Sequence, residues 1–266
     1  MDIDVLGGLD VLENGVPITP ATPQARQVLA VLAAHTDQVV PVAVLAEELE
    51  AHAPPEHTRA VLHSCVRQLR DQLGAALGRA EGAEARTPET VLVSLPGGYL
   101  LDTGWGRSDL HEFEREAGAG YRAMARGDYE TAARRLRGAL RLWKGPAFDG
   151  VAAGARLGER IAQLEATRLS VLEQWVEAEL ALGRHQELRT ELSELIASYR
   201  GREAGSAPYL SALRRSGRRA ESLDTYRSLA DALRADVGRN GAAAARAVRR
   251  ALLLGTQPAA VAGQVA

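Results

Sequence analysis

Residues 54–73 read PPEHTRAVLHSCVRQLRDQL, and residues 90–101 read TVLVSLPGGYLL. The first stretch has a helical period. On a helix turning about 100° per residue, Leu62, Val66, Leu69 and Leu73 share one narrow stripe, with Cys65 at its margin. Arg59, His63, Arg67 and Arg70 share an adjoining arc of about 80°. One stripe can be fixed to a core while the other projects. In the second stretch Val91, Val93 and Leu95 alternate with Leu92 and Ser94. The chain then turns at Pro96-Gly97-Gly98 and resumes over 99–102, which predicts a hairpin. Gly97 and Gly98 permit a turn with positive φ and a close backbone approach. A helix with a projecting basic stripe followed by a Gly-rich hairpin is the C-terminal half of a winged helix-turn-helix. That arrangement puts a helix into a DNA major groove with a ribbon beside it. Without the hairpin, the same stripe reads as the solvated face of an ordinary amphipathic helix.

Upstream the pattern supports this order. Residues 3–6 and 9–12 are short β-like runs separated by Gly7-Gly8, and Asn14-Gly15 is a two-residue hairpin signal before Val16 and Ile18. Thr22 and Pro23 read as the cap and first residue of a helix, with Val28, Leu29, Leu32 and Ala33 inward. Val39-Val40-Pro41 reads as the start of a second helix, with Val44, Leu45 and Leu49 inward. Residues 74–89 have no period and read as a loop.

From Ser108 to Leu254 every strong pattern is helical. Three segments align on Gly127, Gly183 and Gly217. Nine residues beyond each lies Leu136, Leu192 or Tyr226; sixteen beyond lies Trp143, Tyr199 or Leu233. The last two glycines are 34 residues apart, the tetratricopeptide period, and the first interval implies an insertion near 144–165. The expected fold is mainly α. An N-terminal winged helix-turn-helix with small β-sheets occupies 1–104, an all-α tetratricopeptide-like domain occupies 105–255, and 256–266 form a flexible tail.

The 266 residues are 46% apolar and 25% charged, as in a globular protein. A single cysteine excludes an internal disulfide and fits a reducing cytoplasm. No apolar run reaches bilayer length, so no membrane association is expected. The net charge of −2 hides an asymmetry: residues 1–105 carry six Arg and no Lys against fourteen acids, whereas 106–266 are net basic. Phosphate contacts dominate DNA affinity, so an acidic reader must depend on local placement of its arginines. His57, His63 and Cys65 lack metal-ligand spacing, and His63 and Cys65 point about 200° apart on their helix. Neither Gly-Gly pair forms a phosphate loop, and Ser64 and Ser94 lie in no nucleophile elbow. Trp143 falls on a repeat core position and Trp175 in the first helix of the second repeat, so packing explains both better than a ligand cage. No enzyme site, cofactor site or metal site is expected.

The chain resembles the SARP (AfsR/DnrI/RedD) family, which joins an OmpR-type winged helix to a helical bacterial transcriptional activation domain. The resemblance runs over about residues 3–254. It is carried by VLGGLDVLENGVPI (5–18), by PPEHTRAVLHSCVRQLRDQLG (54–74) and LPGGYLL (95–101), and by DLHEFE (109–114) and ALRLWKGPAFDGV (139–151). It implies a transcriptional activator of secondary-metabolite genes. Such a protein would bind direct heptameric repeats in promoter DNA as a homodimer of paired monomers and recruit RNA polymerase. The recognition helix then maps onto His57–Leu73 and the wing onto Pro96–Tyr99. That makes Arg59, His63, Arg67, Arg70, Gly97 and Gly98 the candidate DNA contacts. The sequence departs from the family where Leu49-Glu50-Ala51 replaces Leu-Trp-Gly and where Asp71 replaces a basic residue after Arg70. It departs again at GREAGSAP (201–208) and DVGRNGAA (236–243). The competing expectation, drawn from the acidic balance, is a helical-repeat interaction scaffold whose winged part binds DNA weakly or not at all.

Overall fold

The computed structural model describes residues 1–49, 55–78, 86–104 and 106–184. The repeat around Gly217, the tail 256–266, Trp105 and the departures at 201–208 and 236–243 lie outside the described residues. The architecture is mainly helical with small N-terminal antiparallel sheets, as the sequence predicts.

Strands β1 (Asp2–Asp4), β2 (Asp10–Glu13) and β3 (Val16–Pro17) form an antiparallel meander. Asn14 and Gly15 both have positive φ in its tight turn, which is why Asn-Gly stands there. Helix α1 (Pro23–Ala33) starts where expected: the Thr22 hydroxyl accepts the Ala25 amide, and Pro23 spends its missing N–H where none is needed. Val28, Leu29, Leu32 and Ala33 are buried.

Three local readings need correction. Residues Val39–Pro41 form strand β4, and helix α2 (Val42–Leu49) begins only after it. A Val-Val-Pro run has β preference as well as apolar character, and tertiary pairing selects the strand. Helix α3 (Pro55–Leu77) runs four residues past Leu73, with Ala76 on its buried face. The end of the 74–89 stretch is also not a loop: Thr87 and Thr90 form a capping box that opens the single turn α4 (Pro88–Val91). Strand β5 therefore starts at Leu92.

Strands β5 (Leu92–Leu95) and β6 (Gly98–Leu101) form the hairpin, and β4 pairs on the other side of β6, giving the order β4-β6-β5. Gly97 takes φ +84° in the turn. Gly98 is buried within β6, where a Cβ would lie 2.7 Å from the Val40 carbonyl oxygen and 2.7 Å from Val39 Cγ1. The carbonyl belongs to a neighbouring strand and cannot swing aside. Gly98→Ala is expected to destabilise the fold by on the order of 1–3 kcal/mol, read as a lowered thermal transition. An unchanged melting curve would show that β4 is free to move away.

The described residues fall into two compact units. The first contains 1–115 and 141–167. Here the segment after Trp143 returns to the N-terminal strands: the amides of Lys144, Phe148 and Asp149 donate to the carbonyls of Leu6, Val5 and Gly7 at 2.7–2.8 Å. The sequence shows this segment only as an insertion. Trp143 is buried edge-on against Phe113, with centroids 5.3 Å apart. Two buried carboxylates also join distant segments. Asp109, at the start of α5 (Asp109–Ala125), accepts the Val5 and Leu6 amides at 2.9 Å. Glu48 of α2 accepts the Leu157 amide at 2.9 Å and the Gly154 amide, at the start of α7 (Ala155–Ala181).

Burial raises the Asp109 carboxyl above the ordinary aspartate range, Asp4 adds to the shift, and the backbone amides oppose it. The fold therefore favours the protonated form. That contribution is complete below the ordinary pKa and is lost as pH rises through the raised one. In urea titrations, the stability of wild type relative to Asp109→Asn should fall as pH climbs through that window. A flat or rising difference would contradict it.

The second unit contains 116–140 and 168–184 among the described residues. Gly127 (φ +73°) ends α5 and leads into α6 (Tyr129–Arg141). Leu136 side-chain atoms lie 2.5 Å from where a Gly120 Cβ would stand, so glycine lets the two helices approach. Leu136 is buried, as the repeat alignment predicts, and so is Ala139 one turn further on. In α7, Trp175 is buried and its indole N–H donates to Glu179 Oε1 at 3.1 Å. Gly183 repeats the positive-φ ending of Gly127.

Candidate nucleic-acid interface

Helix α3 packs on α1 and α2 through Leu62, Cys65, Val66, Leu69 and Leu73, all buried. Burial pushes the Cys65 thiol up to about 11, so it stays neutral and acts as a small apolar group. The opposite face presents His57, Arg59, His63, Ser64, Arg67 and Asp71 to solvent. Arg59, His63 and Arg67 recur at four-residue intervals, so they stand one above the other over about 12 Å of helix. The major groove is about 12 Å wide, so three consecutive turns can face base edges. Arg67 can donate two parallel N–H groups to guanine O6 and N7.

The remaining candidates are placed differently. Arg70 is half-buried; its Nη2 donates to the Leu92 carbonyl at 2.8 Å and to Ser94 Oγ at 2.9 Å. Gly97 is exposed at the hairpin tip, whereas Gly98 is covered by β4. The hairpin therefore offers its turn, with Pro96 and Gly97, as the part that can approach a phosphate backbone.

Two features escape sequence reasoning. The Thr22 hydroxyl donates to Gln68 Oε1 at 2.8 Å, tying the start of α1 to α3. Beside this bond lies a recess of about 430 Å³ between Thr22 and Gln24 on one side and Ser64, Arg67 and Asp71 on the other. Neither feature has a sequence signal, because Gln68 reads as one more polar residue on an exposed helix. Asp71 lies four residues beyond Arg67 and lowers the positive potential there, as its place in the sequence predicts.

No helix among the described residues is long and apolar enough to cross a membrane. No group of three or more His, Cys, Asp or Glu gathers among them as a metal site would.

The bacterial transcriptional activator domain profile matches residues 108–253. The regulatory protein DnrI of Streptomyces peucetius is 38% identical over 253 residues, covering 95% of this chain and 92% of DnrI. The chain belongs to the SARP family of transcriptional regulators. Another relative, the transcriptional regulator RedD of Streptomyces coelicolor, is 30% identical over 85% of the chain and 63% of RedD. A solved structure of Mycobacterium tuberculosis EmbR in complex with a low affinity phosphopeptide superposes with a TM-score of 0.63 at 32% identity. It covers 97% of this chain and 65% of that one. The chain thus spans nearly all of DnrI and about two-thirds of EmbR. This SARP is a DNA-binding transcriptional activator, and DNA is its partner.

Proposed function

We propose that this SARP activates a secondary-metabolite gene cluster from direct repeats near a promoter. In this reading two copies bind side by side, each placing Arg59, His63 and Arg67 in a major groove and its Pro96-Gly97 turn against the backbone. Residues 1–104 serve as the reader, and residues 105–255 contact RNA polymerase. The protein works in the cytoplasm. The observation that supports this most is the exposed Arg59-His63-Arg67 stripe beside a hairpin on a helix otherwise fixed to the core.

Pairing on DNA has a geometric test. The full chain is titrated against its own upstream region carrying both repeats, then against a version with about 5 base pairs inserted between them. That insertion turns the second site to the opposite face of the duplex. Binding should be cooperative on the native spacing, salt-sensitive, and weakened on the inserted one. Equal affinity for both would point to independent copies. The acidic balance of residues 1–105 bears on the strength of binding, which must come from a few placed arginines and fall steeply with salt. A shift indifferent to both sequence and salt would argue against the proposed contacts.

A further inference from the structure

Arg70 belongs to the recognition helix by sequence, but its contacts lead elsewhere. Asp102 N donates to Val91 O at 2.8 Å, which directs the Val91 carbonyl toward β6. That bond continues the β5–β6 ladder by one residue beyond the Leu92–Leu101 pair, and carbonyls alternate in direction along it, so that of Leu92 faces the open side. Strand β5 is an edge of the sheet β4-β6-β5, and among the described residues no strand pairs on its other side. Arg70 fills the vacancy: one guanidinium nitrogen donates to the Leu92 carbonyl, at 2.8 Å, and to the Ser94 hydroxyl, at 2.9 Å. These two acceptors stand at the base of the hairpin, and Gly97 at its tip is only three residues beyond Ser94.

We propose that Arg70 is a positioning residue that fixes the wing against the recognition helix, and that it does not read a base. A bidentate guanine contact would require it to abandon both acceptors and leave an edge carbonyl exposed. Arg67, one turn earlier, is exposed and carries no such bond, so base reading falls to it and to its neighbours on the stripe. Because one rigid planar group bridges the helix and the strand, the hairpin tip is held at a fixed reach from α3. This inference rests on the reading that α3 and the hairpin face the same duplex.

The test uses the full chain on its operator and two chemical probes. Hydroxyl radicals report the sugar-phosphate backbone beneath the wing, and dimethyl sulfate reports guanine N7 in the major groove. Arg70→Ala should bind roughly tenfold more weakly, lose protection beneath the wing and keep its guanine protection. Ser94→Ala, which removes one acceptor and almost no volume, should show the same pattern more mildly. Arg70→Lys, with a donor but no planar fork, should restore part of the wing protection. Loss of a guanine with the wing footprint intact would overturn the proposal and make Arg70 a reader. A uniform loss of all protection together with a lowered melting temperature would overturn it too, since the residue would then support the domain as a whole. So would an unaltered wing footprint in Ser94→Ala. Arg67→Ala is the control for the underlying reading: if neither it nor wild type protects guanines, the shared DNA surface itself falls.

Discussion

Glu48→Ala should destabilise the full chain by about 3 kcal/mol, which for a unit of this size lowers Tm by on the order of 10 °C. The Glu48 side chain is fully buried and its two oxygens cap the amides of Gly154 and Leu157, near the first turn of α7. Those amides have no intrahelical partner, so deleting the carboxylate leaves buried donors without acceptors and a hole beside them. A hydrogen bond to a charged group contributes about 1.5–3 kcal/mol, and two are lost. Glu47 is the internal control. It also reaches α7, through an ion pair to Arg156 at 2.7 Å, but this pair lies in solvent. Exposed pairs are screened and contribute little, so Glu47→Ala should leave the melting transition where it is. Differential scanning calorimetry of both variants separates the cases. Equal shifts would mean that burial is not what gives Glu48 its weight.

Arg67→Ala should weaken operator binding by about 1–3 kcal/mol, roughly 5- to 150-fold, while Tm stays within a degree or two of wild type. The side chain is exposed and forms no internal bond among the described residues, so its removal changes the surface and leaves the core intact. If it reads a guanine, discrimination against base-substituted operators should fall at one position while the salt dependence barely moves. If it neutralises a phosphate instead, binding should weaken evenly across sequences and the slope of log K against log salt should shrink by about one. Competition binding at several salt concentrations distinguishes the two outcomes. Unchanged affinity in both would remove Arg67 from the interface.

Much of this is readable from the chain because periodicity reports burial. The Leu62-Val66-Leu69-Leu73 stripe, the Thr22-Pro23 start and the Asn14-Gly15 turn each follow from local chemistry, and the structure places them as read. Gly127 and Gly183 likewise mark helix ends through their positive φ. What stays hidden depends on residues far apart in sequence. Val39–Pro41 becomes a strand only because β6 is there to pair with it. Gly98 looks like half of a turn, yet it is required by the carbonyl of Val40. Arg70 sits on the same arc as Arg67, and only the edge of β5, more than twenty residues away, separates their roles. Glu48 did leave a trace. It falls on the inward side of α2 with Leu45 and Leu49, where a carboxylate must find donors. The periodicity shows that it is buried but not that the donors belong to α7.

The exposed stripe of α3 is the surface expected to touch base edges. Dimethyl sulfate protection of the native upstream region by the full chain addresses it most directly, comparing wild type with Arg67→Ala at one salt concentration. Wild type should protect evenly spaced groups of guanines, one in each repeat, with at least one guanine per group unmasked by the substitution. Identical protection in the two proteins, or none in either, would contradict it.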